Sequence, residues 1–409
     1  MSYREAVVQG TPEEFYPEIW ANGGEMFDPE LGVHIIGSYE GVKEALGGRG
    51  YLADASIIPW WLNSQTADGE KNPDIQVNPA VFDDDALGPF FGYPGAIVSQ
   101  DGLKHRQLRR QVSAAMHEAG QDTTVVDRIV EMRLLDLSQH AQPVGAAALQ
   151  GVGPQVVDLQ ADFIRPAALD LLAYRLGLPK DMKAAVHAST EAQAEFTWPH
   201  TPPPYDKQPE MARQLTGMLE HCKELVASYG GMSDDALPRN ITGHLVRAAR
   251  AGHMQEHEVV ANLFGLVHAG YITTAGTVTR LADELLRSGR WQVLDPDSPS
   301  FAQGIEDGMN EFTSVHGWMR RKGGPEGPHT VALIEAANQA ADRGDGLSLS
   351  FSPLGAHRCL GEADAIYTGV AMIGGLRRAL GDIRPYGEPQ RKADLAFREQ
   401  SDLTVALPR

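Results

Sequence analysis

The sequence has few cysteines, a shortage of positive charge and no long apolar run. Two cysteines in 409 residues, with no CxxC pair, argue against a disulfide framework or a paired-cysteine zinc site and fit a reducing cytoplasm. With 35 Lys and Arg against 54 Asp and Glu, the net charge is −19, so we do not expect nucleic acid as a partner. No apolar run is long enough to cross a membrane, and residues 1–5 lack the apolar core of a secretion signal. We therefore expect a cytoplasmic protein.

The overall composition, with 42% hydrophobic and 22% charged residues, is that of an ordinary globular protein. No repeat or long linker divides the chain, so residues 1–409 are predicted to form a single domain that is mainly α with a small β portion. A short strand pattern lies at 32–39, and residues 51–95, rich in Pro, Asp, Asn and aromatics, are predicted to be irregular. Helical stretches are predicted at 104–119, 124–140, 161–176, 182–196, 210–229, 240–251 and, the longest, at about 255–287.

The most informative residue is Cys359, which lies in the string Phe351-Ser-Pro-Leu-Gly355-Ala-His357-Arg358-Cys359-Leu-Gly361. Two possible cations precede the cysteine. Positive charge and backbone N–H groups near a sulfur favour the thiolate, which is the form that binds metals. The glycines let the backbone approach a flat group closely. The alternative is a structural cysteine in a Gly-rich turn, whereas Cys222, within a predicted helix, is interpreted as a plain helix residue.

The middle of the longest predicted helix carries a second signal, His268-Ala-Gly270-Tyr-Ile272-Thr273-Thr274. Gly270 costs about 1 kcal/mol relative to Ala at such a position, so we expect it to have a local use. A small residue leaves room for a ligand, and the hydroxyl of Thr273, three residues later on nearly the same face, can hydrogen-bond that ligand. A mid-helix Thr can also bond a carbonyl of the preceding turn.

Several cations are spaced as partners for a carboxylate. His105 and Arg109 are four residues apart and lie on one face of a predicted helix, and a bidentate Arg suits a carboxylate. Arg320 ends the string Gly317-Trp-Met-Arg320, and His357 lies two residues before Cys359. Each of them alone is equally consistent with an ordinary surface cation.

Together these strings resemble the cytochrome P450 family. Phe351, Gly355, Cys359 and Gly361 match its heme-binding loop, Phe-x-x-Gly-x-x-x-Cys-x-Gly. The resemblance covers nearly the whole chain and implies the P450 fold. It also implies heme b (iron protoporphyrin IX) as the cofactor, with the iron bound by Cys359 and electron push from its sulfur assisting O–O cleavage.

The resemblance extends to the other strings. Ala269, Gly270, Thr273 and Thr274 match the distal-helix motif Ala/Gly-Gly-x-Asp/Glu-Thr-Thr/Ser, in which the acid and the threonine relay protons to the oxygen that the heme activates. The two heme propionates need cationic or hydrogen-bonding partners when they are buried. The partners that the resemblance implies are His105, Arg109, Arg320 and His357.

The acid of the distal motif is missing from this chain. Its place is taken by Ile272, which neither donates nor accepts a proton. His268 lies one turn earlier on the same side, and a histidine has a pKa that suits proton transfer, so it is a candidate for that role. A structural histidine, or one that lines the substrate pocket, is the alternative.

The Glu-x-x-Arg ion pair that braces the cysteine loop in the family is also missing. Glu284-Leu-Leu-Arg287 has the right spacing but falls too early, at the end of the longest helix. The expected position holds Asp307 and Asn310, so no buried ion pair is predicted there, although Asp307 can still hydrogen-bond Asn310 or a backbone group. The segments 322–329 and 339–346 are shorter than the family norm, which predicts a trimmed β region and a less braced proximal side.

The resemblance implies an oxidoreductase that activates O2 and oxidises a small organic substrate, as a monooxygenase of bacterial secondary metabolism. No flavin or iron–sulfur module fits in this length, so a ferredoxin and a ferredoxin reductase are expected as electron donors, with docking near Arg106, Arg110 and Arg358. A monomer is expected. The candidate basic patch is Lys104, Arg106, Arg109 and Arg110, with a solvated helix face as the alternative. The expected pocket residues are Trp60, Trp61, Phe90, Phe91 and Tyr93, the connection 196–205 and the segment 268–273.

Two alternative functions stay open at this point. Without the relay acid, reactions that need fewer delivered protons become more plausible, such as oxidative coupling, cyclisation or peroxide-driven oxidation. A non-enzymatic heme protein is favoured slightly by the missing Glu-x-x-Arg pair. The presence of Thr273 and of all the predicted propionate partners argues against that second alternative.

Overall fold

The structure is a computed structural model. It describes residues 3–8, 11–29, 33–48, 50–53, 76–81, 95–120, 122–140, 142–143, 155–197, 202–324, 327–393, 397–400 and 402–408. Helices make up most of this part of the chain, and short strands lie near both of its ends, so the predicted mainly α fold with a small β portion is confirmed.

Seven α-helices of the described residues, those between residues 102 and 287, lie close to the predicted stretches, with boundaries that differ by a few residues, and the other seven were not predicted. Together the helices are, in chain order, α1 (Tyr3–Val8), α2 (Tyr16–Ala21), α3 (Tyr39–Gly47), α4 (Gly102–Ala119), α5 (Thr123–His140), α6 (Arg165–Leu176), α7 (Lys183–Thr197), α8 (Gln208–Gly230), α9 (Ile241–Arg250), α10 (Glu256–Arg287), α11 (Arg290–Val293), α12 (Phe301–Glu311), α13 (Ile334–Gln339) and α14 (Glu362–Leu380). The first turn of the stretch predicted at 161–176 is a π-helix, Gln160–Ile164, which leads into α6.

Local signals explain where the central helices begin. The side chain of Asn240 accepts a hydrogen bond from the amide of Gly243 and caps α9. Gln255 and Glu258 form a capping box at the start of α10. Each cap satisfies N–H groups that the helix itself leaves without partners.

The 32-residue helix α10 is the centre of the largest apolar core. Its apolar residues share this core with residues of α6, α8 and α14, and each large side chain buried there stabilises the fold by about 1.5–3 kcal/mol. By length and composition α10 could also cross a membrane, but 67% of its most apolar window is buried inside the protein. The burial is that of a core helix.

The strands form three small sheets. They are β1 (Glu25–Asp28), β2 (Val33–Ile36), β3 (Tyr51–Ala53), β4 (Gln142–Pro143), β5 (Gln155–Asp158), β6 (Gly317–Lys322), β7 (His329–Leu333), β8 (Arg384–Pro385), β9 (Arg391–Ala393), β10 (Arg398–Gln400) and β11 (Thr404–Ala406). The sheet orders are β1-β2-β7-β6-β3, β4-β5-β11-β8 and β10-β9.

The hairpin of β6 and β7 positions one of the predicted site residues. The two strands are antiparallel, with Arg320 opposite Thr330, while β2 and β7 are parallel. The two strands on either side of the shortened segment at 322–329 are both present.

Candidate functional site

A cavity of about 260 Å³ lies between α10 and the loop that carries Cys359. Most of its lining is apolar, and a small number of cations and hydroxyl groups face into it. The predicted site residues that line it are His105, Arg109, Gly270, Thr273, Arg320, Phe351, His357, Cys359 and Gly361. These residues come from α4, α10, β6 and the cysteine loop, so the fold brings together strings that are up to about 250 residues apart.

The cysteine loop is shaped by one hydrogen bond and two glycines. The amide of Cys359 donates to the carbonyl of Phe351 at 3.1 Å and closes the loop. Gly355 has a φ of +78°, and a Cβ there would meet the carbonyl oxygen of Leu46 at 2.6 Å. Gly355 is therefore needed where the loop meets the end of α3, which differs from the expected approach to a flat ligand. Gly361 does line the cavity, and a Cβ there would lie 3.9 Å from Cys359 Sγ.

The thiol of Cys359 is exposed to the empty space of the cavity. The cavity itself is lined by protein on several sides. Burial raises the pKa of this thiol, and backbone N–H groups of Gly361 and Glu362 offset part of the increase. Arg358, one of the two expected cations, instead forms an ion pair with Glu362 at 2.7 Å. The polypeptide alone thus leaves the thiolate incompletely stabilised, and a metal cation at the sulfur would supply the missing charge.

His105, Arg109, Arg320 and His357 converge on one side of the cavity. His105 is 1% exposed, and neither of its ring nitrogens has a hydrogen-bond partner among the described residues. Its ring centre is 4.2 Å from that of His357. Burial, together with the charges of His357 and Arg109, lowers the pKa of His105 to about 4, so the ring is neutral near pH 7.

A buried imidazole without a partner usually indicates a missing ligand, because such a group costs free energy unless it is hydrogen-bonded. The guanidinium of Arg320 is also buried, at 4% exposure, and that of Arg109 donates to the carbonyl of Arg358 at 2.7 Å. Two guanidinium groups and an unpartnered imidazole suit a ligand with carboxylates. These side chains and the facing thiol fit a heme with its two propionates.

The α10 face of the cavity is formed by Ala269, Gly270, Thr273 and Thr274. A Cβ on Gly270 would meet Leu172 Cδ1 at 2.7 Å, so the glycine permits close packing of α10 against α6. Gly270 also lines the cavity, so its expected role of leaving room for a ligand stays a prediction beside this packing contact. The hydroxyl of Thr273 donates to the carbonyl of Ala269, which is the back-bonding that a mid-helix Thr permits.

Comparison with known proteins gives a structural likeness without a sequence match. No protein-family model and no curated protein matches this sequence. Among solved structures, cytochrome P450 CREJ in complex with (4-ethylphenyl) dihydrogen phosphate is similar at a TM-score of 0.79 and 19% identity, with 98% of each chain covered. CYP164A2 of Mycobacterium smegmatis is similar at 0.72 and 20% identity, with 99% of this chain and 100% of that one covered. The chain has the cytochrome P450 fold.

A third similar structure is the cytochrome P450 enzyme CxnD, described as acting in C–S bond formation in chuangxinmycin biosynthesis. It has a TM-score of 0.74 and 17% identity, and 97% of this chain and 95% of that one are covered. At such identities the likeness is one of fold. The P450 fold nevertheless accounts for the way in which residues from both halves of the chain meet at one cavity.

Two residues of the distal motif lie away from the cavity of this P450 fold. Ile272 is buried, and neither Ile272 nor His268 belongs to the cavity lining in the part of the chain that the structure describes. His268 donates from Nδ1 to the carbonyl of Phe264 at 2.8 Å and packs against the Phe264 ring. The structure therefore does not bring His268 to the site, and its placement is that of a buried structural histidine.

His268 should make the stability of the fold depend on pH. Burial lowers the pKa of its imidazole from 6.5 to about 4, although the hydrogen bond to the carbonyl of Phe264 opposes the change. Between these values the unfolded chain binds a proton that the folded chain excludes. The free energy of unfolding should therefore fall as pH is lowered through this window, by about 3 kcal/mol in total.

Urea unfolding of the wild type and of His268→Asn across this pH window measures the effect. The variant should lose that part of the acid dependence, whereas His257→Asn, a substitution at an exposed histidine, should keep it. Equal slopes in the wild type and in His268→Asn would contradict the assignment.

The P450 cavity also has a wall that sequence reasoning missed. Ala96, Ile97 and Val98 line it, and Asn262 of α10 holds this segment in place. The side chain of Asn262 accepts from the amide of Ile97 at 3.0 Å and donates to the carbonyl of Gly95 at 2.7 Å. The available signal was a lone amide side chain within an otherwise apolar stretch of α10.

The other predicted pocket residues fall into two groups. Trp60, Trp61, Phe90, Phe91 and Tyr93 lie outside the described residues. Within the connection 196–205, Phe196 is fully buried and Tyr205 is exposed, and neither is part of the cavity lining among the residues described.

The candidate basic patch is smaller than the sequence suggested. Lys104 pairs with the buried carboxylate of Glu258, and Arg109 lines the cavity. Arg106 and Arg110 remain on the exposed face of α4. The second cysteine, Cys222, is fully buried on α8, and burial raises the pKa of its thiol to about 12, which agrees with its interpretation as a plain helix residue.

Proposed function

We propose that this protein is a heme-thiolate oxidoreductase, with heme b bound through Cys359. The observation that carries the proposal is the arrangement at one cavity of a facing thiol, two guanidinium groups and a buried imidazole without a partner. The thiol, the guanidinium groups and the imidazole suit one flat group that is anionic at one edge and carries a metal that accepts sulfur. We also propose that residues 1–409 form a single domain.

The residues have distinct roles in this proposal. Arg109, Arg320, His105 and His357 hold the propionates and orient the group, while Cys359 supplies the metal ligand. When bound, a heme with a thiolate ligand supplies O2 activation, because electron density from sulfur favours O–O cleavage. The mainly apolar lining excludes water from the reacting side and favours an apolar part of a substrate.

The hydroxyl of Thr273 is the proton-handling group that faces the cavity. It donates to the Ala269 carbonyl in the free protein and can reorient to hold a proton for a bound ligand. Ile272, the residue before it, cannot pass a proton to it. Proton supply therefore depends on water or on the substrate, with Thr273 as the residue that positions the donor.

The reaction that we propose is monooxygenation of a small organic substrate in bacterial secondary metabolism. The similar structures support a small substrate, since one holds (4-ethylphenyl) dihydrogen phosphate and another is described as biosynthetic. We place the protein in the cytoplasm as a monomer, with a ferredoxin and its reductase as electron donors. Arg106, Arg110 and Arg358 are exposed cations close to the cysteine side and suit a docking acidic ferredoxin.

A second candidate is an oxidative coupling, a cyclisation or a peroxide-driven oxidation. The observation that favours it is the missing proton donor at Ile272, because these reactions need fewer delivered protons. CxnD, described as an enzyme of C–S bond formation, has the same fold. The two candidates differ in how the reaction responds to an added acid.

Ile272→Asp should separate the two reaction classes. Because position 272 is buried, the new carboxyl group should have a raised pKa and keep a proton to donate. Position 272 does not line the cavity among the described residues, so the proton has to pass through the neighbouring Thr273, which does. For monooxygenation we expect the share of consumed electrons that reaches product to rise by up to about ten-fold. The variant should lose roughly 1–3 kcal/mol of stability, because it buries a polar group.

The matched control is Ile272→Asn, because an asparagine side chain has nearly the same shape as that of aspartate and cannot supply a proton at neutral pH. Product and electron consumption are measured for both variants with the same substrate and donor. If Asp leaves product identity and coupling unchanged, the missing acid explains little, and the observation that favours the second class is lost.

The proposal itself is tested by the ferrous carbon monoxide spectrum of the heme-loaded protein, followed by a substrate-binding screen. A thiolate-type spectrum supports it, whereas a histidine-type spectrum or a failure to bind heme overturns it. Turnover of any substrate with a surrogate ferredoxin system then separates an enzyme from a non-enzymatic heme protein.

A further inference from the structure

The side chains at the expected brace position do not support the cysteine loop. Asp307 is exposed and accepts a hydrogen bond from Gln303 at 2.9 Å. Asn310 donates to the carbonyl of Glu306 at 3.0 Å, within its own helix α12. The expected contact between Asp307 and Asn310 is not made. The nearby string Glu284-Leu-Leu-Arg287 does not supply the pair either, since Arg287 bonds Asp283 and Glu284 bonds Arg290.

The side-chain amide of another residue, Asn338, binds the segment that leads into the loop. Asn338, near the end of α13, is buried at 9% exposure. Its side-chain oxygen accepts from the amide of Leu349 at 2.8 Å. Its nitrogen donates to the hydroxyls of Ser350 at 3.0 Å and Ser348 at 3.3 Å. One side chain therefore contacts three consecutive residues of the chain.

The two hydroxyls extend this contact to α12. Ser348 and Ser350 both donate to the backbone carbonyl of Asn310, the former at 2.9 Å. That carbonyl belongs to the last turn of α12, where a helix leaves its C=O groups without intrahelical partners. The network thus joins α12, α13 and the segment 348–350 with neutral groups, and a fully satisfied buried network restrains the segments that it joins.

The segment 348–350 is directly connected to the site. Ser350 and Phe351 line the cavity, and the carbonyl of Phe351 accepts the amide of Cys359. Leu349 is fully buried, and its carbonyl accepts the amide of Ser352. A shift of Ser350 therefore moves the carbonyl that closes the cysteine loop.

Glu335 anchors the same short helix one turn earlier. Its carboxylate accepts from Arg280 of α10 at 3.0 Å and from Arg398 of β10 at 2.7 Å. Tyr16 also donates to it, at 3.2 Å. A six-residue helix has little stability of its own, so contacts of this kind determine its position. Glu335 and Asn338 are three residues apart, which is the spacing of the pair that α12 lacks.

We propose that Glu335 and Asn338 of α13 brace the Cys359 loop in place of the absent Glu-x-x-Arg pair. Glu335 fixes α13 against α10 and β10, and Asn338 is the positioning residue that sets the segment 348–350. Arg343 reinforces the arrangement, since it donates to the backbone carbonyl of Asn338 at 2.8 Å and closes the shortened connection. The inference rests on the proposed function for the identity of the bound group, and the brace itself is a property of the polypeptide.

Asn338→Ala tests the brace without relying on activity. Amide hydrogen exchange of residues 348–361 is measured in the protein before and after loading with heme. Loss of the three side-chain hydrogen bonds should speed exchange in this segment about ten- to hundred-fold in both states. Heme should dissociate from the loaded variant about ten-fold faster.

Two controls separate the proposed brace from other effects. Gln339→Ala, at an exposed position on the same helix, should leave exchange and heme dissociation unchanged. Asn310→Ala removes only a side chain that bonds within α12 and keeps the carbonyl that the serines use, so exchange at 348–361 should stay close to that of the wild type. If Asn338→Ala does not fold, Ser350→Ala is measured instead, and it should speed amide exchange at 348–361 by a smaller factor.

The outcomes distinguish the brace from the proposed function. Faster exchange in Asn338→Ala together with an absence of heme binding in the wild type would support the brace and overturn the heme assignment. Normal exchange in Asn338→Ala, or a larger change in Asn310→Ala, would overturn the brace whether or not heme binds.

Discussion

Cys359→Ser is expected to abolish the thiolate-type ferrous carbon monoxide spectrum and to reduce turnover below detection. A hydroxyl is a poor ligand for heme iron and supplies much less electron density than a thiolate, so the assistance to O–O cleavage is lost. The propionate partners His105, Arg109 and Arg320 remain, so the variant should still bind some heme. Spectra and turnover of the purified wild type and variant, loaded with equal heme, measure the effect.

The second cysteine provides the matched control. Cys222 is buried on α8, remote in sequence from the loop, and Cys222→Ala should keep the thiolate-type spectrum. The cost should be limited to about 1 kcal/mol of stability, because a small group is removed from the core. A thiolate-type spectrum that survives Cys359→Ser and disappears in Cys222→Ala would reverse the assignment of the ligand.

Glu335→Gln should lower the free energy of unfolding by about 3–5 kcal/mol. The substitution keeps the shape of the side chain and removes the charge that faces Arg280 and Arg398. Both guanidinium groups lie in partly buried surroundings, so each is left with an incomplete set of acceptors. Urea unfolding of the heme-loaded wild type and variant measures the difference, and Glu210→Gln, which breaks an exposed pair with Arg213, should cost under about 1 kcal/mol.

The same carboxylate should give the fold a dependence on strongly acidic pH. Burial by itself would raise the pKa of Glu335, but the charges of Arg280 and Arg398 outweigh it and hold the pKa at about 2, against an ordinary value of 4.5. The stabilisation is therefore complete above pH 4.5 and is lost as pH falls toward 2. Glu335→Gln should lack this component, and an identical acid dependence in the variant would argue against a paired carboxylate.

The position of Glu335 suggests why the chain tolerates an α12 that lacks the Glu-x-x-Arg pair. A buried ion pair contributes to a fold only when its charges are matched and hydrogen-bonded, and a neutral network avoids that cost. Here the matched charges lie on α13, α10 and β10. Asn338 and the two serines transmit the restraint to the loop through neutral groups.

The sequence by itself determined the local features of the protein. The spacing of apolar residues predicted the seven helices between residues 102 and 287 to within a few residues, because amphipathic periodicity is a property of consecutive positions. The string from Phe351 to Gly361 predicted the loop and its thiol. The spacing of His105 and Arg109 predicted that they share one helix face, and both line the cavity.

Only the tertiary structure decided which neighbour each face meets. His268 and Ile272 lie on sides of α10 that pack against protein, and Gly270 packs closely against Leu172. Asn338 reaches Ser350 because α13, α12 and the loop converge, a contact that spacing along the chain does not encode. Periodicity states which residues share a face. The long-range packing of helices, strands and loops determines what that face touches, and with it the brace of the cysteine loop.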